Sequence, residues 1–591
     1  MWLQKFTEYF VNRPTIFWSL MAAIIIAGII SFSMMPKLED PAICAKQANV
    51  VAIYPGASAH EVELKLVKPV EDKLRTLPDV KEIRSEVSAG MAIITVEFEM
   101  TVLNEELEQH FDLLRRKTTE AKLTLPAGAM DLIVVDDMMD TYGIFYALKF
   151  DGYSYSEADR YAQHLRNALL AVPGVKRVNI AGGRTEQIDV ILSKDKLARN
   201  GFIPSQIMIQ MQNQGKVADA GKIDVDGRRV SLRVSDGLTD ESDVADMLIK
   251  DASGRPVRLG DIAEVRRAYK EPQTGAFFVD GEAALAICVA LEDNVVVPDV
   301  GKIVDKKVNA MIAEMPVGFS MEKIFFQPDK VDSAISTFLV NLLESVLIVI
   351  IVLVFAMGFR AGVIIGLGLV LTIAASFPIL LSLGSTLQRI SLGAFIIAMG
   401  MLVDNSIVIM DGILVDKKQG LPMKEYLYGI GRRTAWPLLG ATVIAVATFL
   451  SPYLSPDTAG EYCRDLFLVL CVSLLMSWLL ALVQVPMCAG SWLPKNSAGP
   501  EKESRVYGSR IHRAVGKALS FMIDWRKTTI ISSILVLVAV IFSATKVKNL
   551  FFPDFDYNQF IIEYTMPPQT SPDCVRADLM EIMASLDSIP E

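Results

Sequence analysis

The chain has 591 residues, 52% of them hydrophobic, and its 58 Lys and Arg against 68 Asp and Glu leave a formal charge of -10. A mean hydropathy of +0.36 excludes a disordered chain, and six Cys are too few for a disulfide scaffold of this length. The acidic sequence pI near 5.2 gives no support to a nucleic-acid partner.

In chain order, Lys5 and Arg13 precede 23 uncharged residues, 14–36. A membrane helix needs about 20 predominantly apolar residues. The run is longer than a signal-peptide core and lacks a small-residue cleavage site, so it reads as a retained first span. Residues 37–333 follow as a large α+β region. Asn49–Tyr54 is a predicted strand. Ser58–Leu77 is a predicted helix, with Ser58 and Glu61 as a capping box. Val80–Val87 and Ala92–Phe98 form a strand pair around Ala89-Gly90, and Leu103–Lys122 is a helix. The pattern recurs with Gly143–Phe150 (strand), Ser156–Val172 (helix), Val175–Ile180 and Gln187–Leu192 (strands) and Pro204–Gln214 (helix). Gly221–Val225 and Arg228–Val234 read as a hairpin, because Asp226-Gly227 suits a type I′ turn. Ala284–Leu291 is a strand and Val300–Ala313 a helix.

Further uncharged runs occupy 345–359, 361–388, 434–456, 466–494 and 528–545, while 390–410 carries one charge, Asp404. The first of these must extend past Glu344 to about Ala334 to reach spanning length. Seven spans result. Lys and Arg concentrate before the first, between the second and third, between the fourth and fifth, and between the sixth and seventh. The N-terminus is therefore expected inside, with 37–333 and the residues after 546 outside. Met35-Pro36-Lys37-Leu38-Glu39-Asp40 after the first span is echoed by Phe552-Pro553-Asp554-Phe555-Asp556 after the seventh, and Leu74–Pro78 by Leu586–Pro590. Such an internal repeat leads to the expectation that the chain is the N-terminal part of a longer protein with five more helices.

Asp404 is the main chemical signal. An Asp near a helix centre costs about 2.5–3.5 kcal/mol on insertion scales, and such groups are paired inside a bundle or lie on an ion path. The seven spans hold no interior Lys or Arg. A cationic partner would then come from the further helices expected of the longer protein, or the Asp is protonated part of the time, and either option points to proton coupling through Asp404. Asn405 beside it is expected to orient it by hydrogen bonding. Asp411, seven residues on, reaches the same helix face. Glu344 reads as a carboxylate near a helix end. Gly-Lys at 215, 221, 301 and 516 is never followed by Ser or Thr, so no phosphate loop is present. His60, His110, His164 and His512 do not cluster, so no metal site or cofactor is assigned; the 26 Met keep soft-metal export open. The Cys spacing suggests free thiols.

These residues resemble the resistance-nodulation-division (RND) transporter permeases. The resemblance rests on Tyr54-Pro-Gly-Ala-Ser-Ala-His-Glu-Val-Glu63, Asp136-Asp137 with Tyr142–Leu148 and Asp151–Tyr155, Phe359-Arg-Ala-Gly362, and Gly400-Met-Leu-Val-Asp-Asn-Ser-Ile-Val408. It implies a polytopic α-helical membrane protein with large periplasmic α+β porter and docking subdomains. The first porter subdomain would be 37–134 and the second 135–180 with 273–333. The docking subdomain would be 181–272, its hairpin reaching a neighbouring protomer. Residues 1–36 would be the cytoplasmic N-terminus and first helix, and 334–493 the next five helices. A cytoplasmic linker with an amphipathic helix would occupy 494–527, the seventh helix 528–546, and the start of a second periplasmic domain 547–591. The resemblance further implies a homotrimer in the bacterial inner membrane. It would export amphiphilic small molecules such as drugs, dyes and detergents by proton antiport, with a periplasmic adaptor and an outer-membrane channel. Two departures stand out. Asn405 occupies the place where many drug pumps of the family have a second Asp, and Asp136, Asp137, Met138, Met139 and Val178 do not make an aromatic pocket. Heavy-metal export by the same fold, or a non-exporting receptor or translocation accessory, are the other readings.

Overall fold

The computed structural model describes residues 2–41, 46–102, 104–136, 141–214, 219–233, 240–251, 254–273, 275–292, 294–493, 510–544, 546, 560–567 and 570–587. Cys44, Asp137 to Met139, the 494–509 part of the expected linker, the repeat copy at 552–556 and the 588–590 end of the second match lie outside the described residues. The chain divides into two compact units, one of residues 1–143, 290–303 and 326–562, the other of 144–289, 304–325 and 563–591.

The first unit opens with α1 (Trp2–Val11) and α2 (Pro14–Met34). Pro14 stands in the first turn, where a missing N–H costs nothing. After β1 (Gln47–Ile53), α3 (Ala59–Val62) starts on the expected box: Ser58 accepts from the Glu61 backbone N–H while the Glu61 carboxylate accepts from Ser58. It passes through a π-helical turn (Glu63–Val67) into α4 (Lys68–Leu74). β2 (Val80–Ser88), β3 (Met91–Phe98) and α5 (Asn104–Lys122) follow, then β4 (Ile133–Val135), a strand the sequence pattern did not mark. The sheet order β2-β3-β1-β4 sets β1 between antiparallel neighbours. Side chains alternate along a strand and recur every three or four residues on a helix. Ala48, Val50 and Ala52 of β1 and Ile94, Val96 and Phe98 of β3 therefore face one way, onto Val62, Leu66, Val70 and Leu74 and onto Phe111 and Leu114.

The second unit is built on β5 (Ile144–Phe150), α6 (Tyr155–Leu170) and β6 (Val175–Ala181). Ser154 and Glu157 cap α6 with a second box, two residues before the expected start. β7 (Glu186–Leu192), α7 (Lys194–Asn200) and α8 (Pro204–Gln214) lead to the hairpin β8 (Asp219–Val225) and β9 (Arg228–Arg233). Asp226 and Gly227 have φ of 47 and 77, the double left-handed geometry of a type I′ turn. After α9 (Glu241–Ala245), β10 (Leu248–Lys250), β11 (Pro256–Arg258) and α10 (Leu259–Ile262) comes β12 (Ala263–Tyr269), which pairs antiparallel with β7 over its full length. Leu197, Phe202, Ile207, Ile249 and Ile262 form the core of this part. The remaining strands are β13 (Phe278–Val279), β14 (Glu282–Leu291) and, after α11 (Val297–Glu314), β15 (Phe319–Phe326). They join β5 in the order β13-β14-β5-β15, with β6 also paired to β14. β12 and β15 were not legible as strands, since their burial is shared with distant partners.

Returning to the first unit, the long helices are α12 (Gln327–Met357), α13 (Phe359–Ser382), α14 (Arg389–Lys418), α15 (Met423–Thr448), the short α16 (Leu450–Tyr453) and α17 (Thr458–Trp492). α18 (Arg510–Asp524) lies within the expected linker; Arg513 and Lys517 fall on one side of it and Val515, Leu519 and Met522 on the other. α19 (Arg526–Ala544) follows, and α20 (Pro572–Asp587) belongs to the second unit. Among the described residues, six helices are long and apolar enough to cross a membrane: α2, α12, α13, α14, α17 and α19. The expected fifth span, 434–456, is not one of them. α15 begins at Met423, takes in Arg432 and Arg433, and breaks at Phe449, leaving too short an apolar stretch in one helix.

Gly358 alone separates α12 from α13, with a φ of 89 that favours glycine. Four residues on, a Cβ at Gly362 would lie 2.7 Å from the Val354 backbone nitrogen, so the two helices meet backbone to backbone. α13, α14 and α17 form the packed centre, where Ile365, Leu369, Phe395, Leu402, Leu470 and Val485 are buried together.

Candidate functional site: a carboxylate on a packed helix

α14 buries most of its surface. Phe395, Ala398, Leu402, Ile409 and Ile413 are buried, and Asn405 and Ser406 lie on that same packed side. Between its ends the exposed positions are Ile396, Ile397, Gly400, Asp404, Val408 and Asp411, and the last five, three or four residues apart, lie on one stripe. Asp404 and Asp411 thus share a face, as their spacing predicts. Asp404 is fifteen residues from Arg389 and fourteen from Lys418, so it sits near mid-helix, about 22 Å and 21 Å from the two ends.

Asn405 does something other than expected. Successive helical residues project about 100° apart, and Asn405 turns inward, away from Asp404. Its Nδ2 donates long hydrogen bonds to Thr442 Oγ1 of α15 (3.5 Å) and Ser477 Oγ of α17 (3.4 Å). The Thr442 and Ser477 hydroxyls in turn donate hydrogen bonds to the Leu438 and Leu402 carbonyls. Asn405 therefore ties three helices at the depth of Asp404 and does not orient the carboxylate. Gln484 of α17, fully buried, donates to the Ile364 carbonyl of α13 at 2.9 Å, and Gly368 leaves room for its amide.

None of the ion pairs among the described residues involves Asp404. The paired acid on α14 is Asp416, buried and 3.0 Å from Arg433 Nη2, which the sequence reading did not single out. Glu344 is exposed and, because α12 begins at Gln327, lies near the middle of that helix rather than at its end.

A second charged cluster sits at the Arg389 end of α14. Arg389 Nη2 donates to Glu39 Oε1 at 2.7 Å, and the Arg389 backbone N–H to the Glu39 carbonyl at 3.3 Å. Glu39 is 4% exposed and also accepts from Gln327 Nε2, at the start of α12, at 3.5 Å. Leu38 and Leu387 exchange backbone hydrogen bonds with this same segment: Leu38 N–H donates to Leu387 O, and Leu387 N–H to Pro36 O. Across from it, the Asp465 carboxylate of α17 accepts from Ser385 Oγ, from Thr386 N and Oγ1, and from Gln388 Nε2. Just before β1, Lys46 Nζ pairs with Glu461 of α17 at 2.8 Å. Burial pushes the Asp40 carboxyl up from its ordinary range; Arg389 pulls it back and Glu39 pushes it further up. The signal for this cluster was present as the singled-out run Met35–Asp40, but its partners were not.

Among the described residues, no three His, Cys, Asp or Glu side chains are grouped to hold a metal ion. The geometry is that of a helix bundle in which, among the described residues, Asp404 at mid-helix makes no ion pair and a buried ionic cluster sits at the Arg389 end of the same helix. A family model, that of the AcrB/AcrD/AcrF family, matches residues 6–591. The chain therefore belongs to the AcrB/AcrD/AcrF family of RND permeases, which are efflux transporters rather than enzymes.

Proposed function

We propose that the chain is the proton-driven subunit of an inner-membrane pump that exports amphiphilic or hydrophobic small molecules. On this reading it works as a homotrimer, with its α+β regions in the periplasm, together with an adaptor protein and an outer-membrane channel. Asp404 is the proton carrier, Asp411 lies on the same route, and Asn405 fixes the helix that carries them.

The observation that carries this reading is Asp404 on the exposed stripe of an otherwise packed helix. A carboxylate there is stable either beside a cation or as the neutral acid. Alternation between those states is a proton cycle, and the membrane potential supplies about 2.3 kcal/mol per charge per 100 mV to drive it. Amphiphiles are favoured over metal ions by a groove of about 530 Å³ between α2, α12 and α13. It is lined by Ile25, Ile29, Phe32, Leu342, Val346 and Phe377, which suit a ring or acyl chain and offer no metal donor.

The test is a strain lacking the chain, complemented with native protein or Asp404→Asn. Loss of the native chain should sensitise cells to dyes, detergents or hydrophobic antibiotics, and Asp404→Asn should fail to restore resistance at equal membrane levels. Sensitivity confined to copper, silver or zinc would replace amphiphile export with metal export. Full complementation by Asp404→Asn would remove the proton role.

A further inference from the structure

α14 and α17 are locked together at two levels. Asn405 bonds Ser477 at the depth of Asp404, and Asp465 grips residues 385–388 at the Arg389 end. A displacement of α14 must therefore carry α17 with it. Both helices hold the chain that leads from α2 into β1. Arg389 of α14 takes Glu39, and Glu461 of α17 takes Lys46, with the backbone of 36–38 bound along Leu387 between them. Neither grip is an ordinary surface pair, whose worth is close to nothing: the Glu39 and Lys46 side chains are 4% and 5% exposed. Lys46 also donates to the Met100 carbonyl at 2.7 Å, and its own carbonyl accepts from Phe98 N–H, so it is seated in the sheet. β1 begins at the next residue.

We propose that Arg389 and Glu461 are positioning residues that transmit a change of state at Asp404 to the β1 sheet, through Glu39 and Lys46. A helix is stiff along its axis, so a shift at Asp404 reaches Arg389 without loss over about 22 Å. The pull is delivered at two points on the lead to β1, which turns it into movement of the strand rather than slack in the connection. Gln327 on Glu39 passes a share of it to α12. This rests on the proton role of Asp404 given above.

The test reads the sheet and needs no substrate. Hydrogen exchange is followed by mass spectrometry on the full protein, purified in detergent, in peptides covering 47–53 and 91–98. Asp404→Asn, which mimics the protonated helix, should change exchange in these peptides by about threefold or more relative to native protein. In a Glu39→Gln/Glu461→Gln background the same substitution should leave them unchanged. General loosening would raise exchange in that background, yet would not remove its response to Asp404→Asn. Should the double variant not be recovered, Glu461→Gln alone should cut the response by at least about half. A response that survives both removals overturns the inference, and so does native protein whose 47–53 exchange ignores Asp404→Asn. If Asp404→Asn stops export while the sheet stays silent, the route is wrong and the proton role stands. If Asp404→Asn exports normally, the proton role itself has failed.

Discussion

The proposed cycle fixes how steep a gradient the transporter can build. Asp404 is the mid-helix carboxylate of the exposed stripe, and Asn405 beside it is an amide engaged with Thr442 and Ser477. One proton per turnover follows. One charge crossing 100 mV yields about 2.3 kcal/mol, and about 1.4 kcal/mol corresponds to a tenfold ratio, so a neutral substrate should stall near a 40-fold gradient. Two charges would allow a ratio on the order of 10³. The assay is static-head accumulation in proteoliposomes, with equal pH on both sides, a potassium–valinomycin clamp at 100 mV and a neutral fluorescent amphiphile. Asp404→Asn should bring the ratio to about one. It should not lower the unfolding midpoint, because the amide keeps the volume and replaces an Asp whose presence costs about 2.5–3.5 kcal/mol at a helix centre. A native ratio near 10³ would require a second proton carrier, and a ratio of tens in Asp404→Asn would refute the role of this residue.

Asn405→Asp should retain export but change its pH dependence, measured as dye efflux against external pH, because it buries a second carboxylate between Thr442 and Ser477. Asp40→Asn should raise the thermal unfolding midpoint at neutral pH. The native Asp40 pKa is raised, so the cost of its charge is present at neutral pH and fades as pH falls through the raised value; the gain should be gone below the ordinary 3.8. Gly362→Ala should destabilise by about 1–3 kcal/mol in detergent unfolding, since its methyl meets the Val354 backbone and not a side chain that can swing aside.

Local rules explain what was legible. The capping box at Ser58 and Glu61 and the type I′ turn at Asp226-Gly227 depend on residues within four positions of each other, and both were readable. Spanning helices announce themselves because hydrocarbon demands a continuous apolar run. The shared face of Asp404 and Asp411 follows from helical periodicity alone. Tertiary structure decided the rest. Asn405 and Asp404 are neighbours in sequence and point apart in space, and only the positions of α15 and α17 assign one to the packed side. The uncharged run 434–456 is interrupted at Phe449, between α15 and α16, and its composition does not show that break. β12 and β15 are strands because β7 and β5 lie beside them. Arg389 and Glu39 are 350 positions apart. Their types signal only a charge at a helix start and a charge after a helix end. Burial makes them a pair, and burial is a property of the folded bundle, set by every helix that closes around them.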